Sequence, residues 1–111
     1  MSGLIQQRWI DDLQGVVKSI SAIKEAWFFG SRAKGIGSNK SDLDIAVRIE
    51  PSDGKILAEW MFNAESWKKK LQDTVGDTPV IDLQLSHPET SEVVWTAVDD
   101  HGICFFRRKR E

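Results

Sequence analysis

The sequence predicts an α/β (α+β) fold: a small mixed sheet of about four strands with helices packed on one face. Three observations carry this. Two long segments space their apolar residues as helices do, and several short apolar or alternating runs end in Gly, Pro or turn residues, as strands do. One helical segment also separates the second strand from the third. The 111 residues, 41% of them hydrophobic, suffice for one domain, 1–111, with one core.

Taken in order, Leu4 to Ile23 carries Ile5, Trp9, Leu13, Val16, Val17, Ile20 and Ile23 at helical spacing. Ala26-Trp27-Phe28-Phe29 is a short apolar run closed by Gly30 and reads as a buried strand. Asp42–Ile49 alternates and stops at Pro51. Ser52-Asp53-Gly54 is a turn. Leu57, Trp60, Met61, Ala64, Trp67 and Leu71 then form a wide apolar helical stripe, expected to be core, and Gly76 to Pro79 ends that helix. Val80–Leu85 is a third strand. Glu89–Thr96 reads as a short helix with Val93 and Val94 inward. Asp99-Asp100-His101-Gly102 reads as a turn, and Ile103–Arg107 as a last strand.

The chemistry concentrates between Gly30 and Val47. Gly30 lets backbone approach a ligand closely, and Ser31 adds a hydroxyl donor. A helical turn starting there would offer free N–H groups to an anion. Gly35, Gly37, Ser38 and Asn39 make a loop. Leu43, Ile45, Val47 and Ile49 share one strand face, which puts Asp42 and Asp44 on the other. Two carboxylates so close repel unless a cation lies between them, and oxygen ligands beside a phosphate site suit magnesium. Asp82 repeats the pattern, opposite Ile81, Leu83 and Leu85. A solvated acidic strand face is the plainer explanation, but three such acids downstream of Gly-Ser weigh against it.

Gly-Ser, ten residues, then Asp-x-Asp resembles the signature of the nucleotidyltransferase superfamily related to DNA polymerase β. GSRAKG followed by SDLD is similar to its minimal nucleotidyltransferases, the small antitoxin-like members. The ending Ala97 to Phe106 also looks like that family's last strand. The resemblance implies a polymerase β-like fold and a set of roles. Gly30 and Ser31 would hold phosphates, with Arg32 and Lys34 either screening the triphosphate or lying solvated on a helix. Asp42, Asp44 and Asp82 would hold two magnesium ions, and Asp82 would help deprotonate the attacking hydroxyl. Paired metals stabilise both the entering and the leaving oxygen.

It further implies an enzyme that moves AMP from ATP to a hydroxyl. The acceptor would be a tyrosine of a cognate HEPN-type toxin, so that the chain acts as an antitoxin. Two alternatives stand beside this: transfer to a small molecule such as an aminoglycoside, and a non-enzymatic antitoxin that only binds its partner.

Composition narrows the field. A net charge of −2 argues against stable nucleic-acid binding. No apolar run approaches a bilayer span and Met1-Ser2-Gly3 begins no signal peptide, which suits a cytoplasmic protein. The lone Cys104 excludes an internal disulfide and is expected to be buried filler. His87 and His101 are expected at the surface, not as zinc ligands. Arg107 to Arg110 is expected to be a solvated, frayed tail. Five Trp are many for this length, and core packing of Trp60 and Trp67 competes with a partner surface.

Overall fold

The computed structural model describes residues 4–109. In chain order the elements are α1 (Gln7–Ser19), β1 (Ile23–Phe29), α2 (Gly30–Lys34), β2 (Leu43–Ile49), α3 (Ile56–Val75), β3 (Ile81–Leu85), α4 (Glu92–His101) and β4 (Ile103–Arg107). They form the expected small mixed sheet of four strands, ordered β3-β2-β1-β4. β1 runs antiparallel to β2 and β4, while β2 and β3, joined through α3, are parallel.

Alternation divides the sheet into two faces. Ala26, Phe28, Leu43, Ile45, Val47, Ile81, Leu83 and Leu85 are buried on one. They meet Trp9, Leu13 and Val17 of α1 and Trp67 and Leu71 of α3 in a single cluster. Phe28 stacks on Phe105 at 4.2 Å between ring centroids. The register puts Phe29 opposite Asp44, and Asp44 opposite Asp82, on the other face.

The expected helix through Ile23 stops earlier. Ile20 turns extended, and Ile23 donates its N–H to the Ile20 carbonyl and opens β1. Both isoleucines still reach the core, because a turn also brings residues three apart to one side. Arg108 closes this corner. Its guanidinium donates to the carbonyls of Lys18, Ile20 and Ile23, and its N–H to that of Lys24. It thereby ties the end of α1, through the Lys18 and Ile20 carbonyls, to the start of β1. Arg108 is therefore a cap rather than part of a frayed tail; Arg110 lies outside the described residues.

Gln72 of α3 sets the start of β3. Its amide nitrogen donates to the Gly76 and Pro79 carbonyls, and its oxygen accepts the Ile81 N–H at 2.8 Å. The clamp holds Ile81, the residue before Asp82, to α3.

Other details depart from expectation. Trp67 and Leu71 are buried, and Trp60 packs on Trp67 at 6.4 Å, but Leu57 and Met61 are exposed and Phe62 is 90% exposed. The 20 residues of α3 span about 30 Å, longer than the strands beneath them can cover. The last helix lies further along than expected: Val98 is its buried residue, Val93 is exposed, and the segment read as a turn is its final turn. Cys104 is exposed rather than buried. No helix among the described residues is long and apolar enough to cross a membrane.

Candidate active site

Three elements converge where β1 ends. Gly30 leaves β1 at φ 74°, a left-handed conformation that favours glycine. Its Cα rests against Asp44: a Cβ there would lie 2.9 Å from Asp44 Cγ and collide with Oδ2. The turn and the carboxylate are thus in van der Waals contact. The loop after α2 folds back onto Ser31, whose carbonyl accepts the N–H groups of Ile36 and Gly37 at 3.1 Å each. A side chain at 37 would press to 2.9 Å from Ser31 Oγ, so glycine makes that approach possible.

Asp44 and Asp82 are direct partners in the parallel ladder, and their carboxyl groups share a hydrogen bond. Asp82 Oδ1 also accepts the Gln84 amide at 2.8 Å. Asp42 lies just before β2 and is exposed, yet its charge reaches Asp44. Burial pushes the Asp44 carboxyl up to about 6. The negative charges of Asp82 and Asp42 and the hydrogen bond to Asp82 add to this, and the Arg32 charge opposes it.

A divalent cation would relieve that crowding, and the donor set is all oxygen, as magnesium prefers. Among the described residues no three acidic, His or Cys side chains form a preformed metal cluster. These acids would have to draw together around a cation.

Arg32 occupies a place that sequence reasoning did not anticipate. It is only 3% exposed. Nε and Nη2 donate to the Ser41 carbonyl, Nη2 also to that of Asn39, and Nη1 to that of Leu4. Its guanidinium lies 5.6 Å from the Trp9 ring centroid. Arg32 braces the loop carrying Ser41 and Asp42, while its charge reaches Asp44. Lys34 is exposed at the end of α2.

His101 is the site residue that sequence reading missed. Its Nε2 accepts the Gly30 N–H at 2.8 Å, and its side chain is 15% exposed rather than solvated. Nothing in the run Asp99 to Gly102 signals this, because a single His beside acids reads as any polar turn. His87 accepts the N–H groups of Glu89 and Thr90 within its own turn.

Known proteins share this fold. The family model "Polymerase beta, Nucleotidyltransferase" matches residues 11–111. A crystal structure of a toxin–antitoxin with AMP-PNP superposes with TM-score 0.66 at 22% identity, over 90% of this chain and 74% of that one. A mutant of the toxin–antitoxin MntA-HpeT gives 0.65 at 20%, over 90% and 74%. A provisionally named nucleotidyltransferase from Sulfolobus solfataricus gives 0.55 at 20%, over 89% and 77%. No curated protein sequence matches the chain significantly. At these identities the solved structures speak for the fold alone. The family match, spanning nearly the whole sequence, decides the rest: this chain belongs to the polymerase β nucleotidyltransferase family.

Proposed function

We propose that the chain is a magnesium-dependent nucleotidyltransferase that moves AMP from ATP to a hydroxyl of a protein partner. The partner is a HEPN-type toxin, the acceptor one of its tyrosines, and the chain its antitoxin. The observation that carries the enzymatic part is the Asp44–Asp82 pair set against Gly30 with Asp42 beside it. Two solved relatives support the context. One is a toxin–antitoxin crystallised with AMP-PNP; the other is a toxin–antitoxin mutant in which two aspartates, two positions apart, are glutamates. Asp42 and Asp44 have that same spacing.

In this reading Asp42, Asp44 and Asp82 hold two magnesium ions. Bound magnesium would neutralise the triphosphate and stabilise the charge that develops on the entering and leaving oxygens. Gly30 gives the triphosphate room at the turn, and Ser31 binds phosphate oxygens with its hydroxyl. Asp82 accepts the acceptor hydroxyl's proton. The oxygen attacks the α-phosphorus, the bond from that phosphorus to the bridging oxygen breaks, and pyrophosphate leaves. An adenylyl group adds negative charge and bulk to the toxin near a surface that must hold RNA phosphates.

The test is incubation with the product of the neighbouring reading frame, ATP and magnesium, followed by intact-mass measurement. One added adenylyl group per toxin, absent with Asp42→Asn/Asp44→Asn, is expected. Neutralisation of an unmodified toxin by that double variant would leave only a binding antitoxin. Adenylyl transfer to an aminoglycoside but not to the toxin would move the acceptor to small molecules.

A further inference from the structure

We infer that His101 is a positioning residue of this site: its neutral imidazole holds the Gly30 peptide so that the turn is preset for a nucleotide triphosphate. The inference rests on the transferase reading above and concerns a residue from the far end of the chain.

The hydrogen bond defines the ring's state. A backbone N–H only donates, so Nε2 must accept at 2.8 Å and carries no proton. Nδ1 then bears the hydrogen and donates to Asp100 Oδ2 at 3.2 Å. Asp100 thus fixes both the tautomer and the orientation of the ring, the logic by which a carboxylate orients a histidine elsewhere.

The fold delivers the ring to this spot through Gly102. A Cβ there would lie 2.6 Å from the Val98 carbonyl oxygen and 3.0 Å from Trp27 Cε3. Only a residue without a side chain lets α4 end flush against β1, and the preceding residue then overlies Gly30. His101 and Asp44 hold Gly30 together. Asp44 is in contact at the α-carbon, and His101 grips the amide. The Phe29–Gly30 peptide plane is fixed by that grip, and it sets where Ser31 stands relative to the carboxylates. Without His101 the amide would be free to turn toward water or toward a phosphate, and the turn would have to be ordered when nucleotide arrives. Preorganisation of this kind strengthens binding by removing that ordering cost.

Three variants separate the role from general packing. Gln reaches about as far as Nε2 and offers a carbonyl acceptor, so His101→Gln should keep the hydrogen bond. Asn is too short, and Ala removes the acceptor. In the isotopically labelled full chain, NMR should detect a coupling through the hydrogen bond between the Gly30 nitrogen and His101 Nε2. Calorimetry with magnesium and AMP-PNP should show His101→Ala and His101→Asn binding about two- to tenfold more weakly than wild type, the span of one hydrogen bond. His101→Gln should stay within about twofold. The transfer rate at saturating ATP should change less than KM in every variant, because His101 acts through Gly30 and not on the reacting atoms.

Absence of the coupling overturns the inference. So does equal or tighter nucleotide binding by His101→Ala, or His101→Gln binding as weakly as His101→Ala at equal stability. Should the Ala variant fail to fold, the coupling in wild type and the Gln–Asn contrast still decide. Wild-type chain that binds no nucleotide overturns the transferase reading itself, and the nucleotide role of His101 with it. Normal wild-type binding with no effect of the variants overturns only the role of His101.

Discussion

Asp44 and Asp82 face each other across the parallel β2–β3 ladder and share a hydrogen bond between their carboxyl groups. Buried beside Asp82, Asp44 holds a proton more tightly than it would in water. The same crowding that favours a proton would favour a divalent cation, and the two compete for the same oxygens.

Nucleotide binding should therefore depend on pH in one direction. Asp44 retains its proton up to about 6, against an ordinary 3.8. Affinity for magnesium with AMP-PNP should be flat above about pH 7 and fall by about tenfold per pH unit well below 6. Calorimetry at a series of pH values checks this. Flat affinity down to pH 5 would remove Asp44 from the metal site.

Asp44→Asn should separate stability from binding. The folded chain binds the Asp44 proton more tightly than the unfolded chain. That contribution is fully present below pH 3.8 and is lost as pH rises through about 6. At pH 7.5 the ligand-free Asn variant should be more stable than wild type by about 1 kcal/mol, after allowing for solvent screening at a partly exposed group. The gain should vanish near pH 4, and magnesium-dependent nucleotide binding should be lost. Urea denaturation at both pH values gives the comparison.

Gly30→Ala should fail in both respects. The new methyl meets the Asp44 carboxylate, and φ 74° is strained for any side chain. A loss of about 1–3 kcal/mol in stability is expected from the backbone alone, with nucleotide binding abolished. Gly54→Ala is the control. Its φ of 73° carries the same strain, but no atom lies within 4 Å of the new methyl. Equal stability losses in the two variants would mean that the contact with Asp44 carries no weight.

Arg32→Lys should be severe although the charge is kept. An ammonium cannot reach three carbonyls from one buried position as the guanidinium fork does. A loss of about 3 kcal/mol is expected, which would lower Tm by roughly 10 °C or more for a domain of this size. Thermal unfolding measures it. A Tm within a few degrees of wild type would show that the loop stands without its brace.

Much of the fold was legible because strands and helices leave different periods in the chain. Leu43, Ile45 and Val47 alternate, and their burial on one face follows from alternation alone. Boundaries were less legible. Ile20 and Ile23 keep helical spacing while the backbone leaves the helix, since a side chain three residues on can reach the same core from a turn. Val93 reads as core and is exposed, because apolar character does not say which way a short helix rolls.

By itself, the sequence determined the local chemistry: a Gly-Ser turn, an Asp-x-Asp strand and a third acid opposite an apolar face. Contacts between distant segments were decided only by tertiary structure. The ladder register made Asp44 and Asp82 neighbours, and Gln72 of α3 holds the start of β3 through the Ile81 N–H. Arg32 turned to three backbone carbonyls instead of solvent, and His101 came from α4 to hold Gly30 at the end of β1. The reason is physical. A motif records residues that act through neighbouring positions, whereas a part-buried hydrogen bond between residues 71 positions apart leaves no periodic trace in the chain.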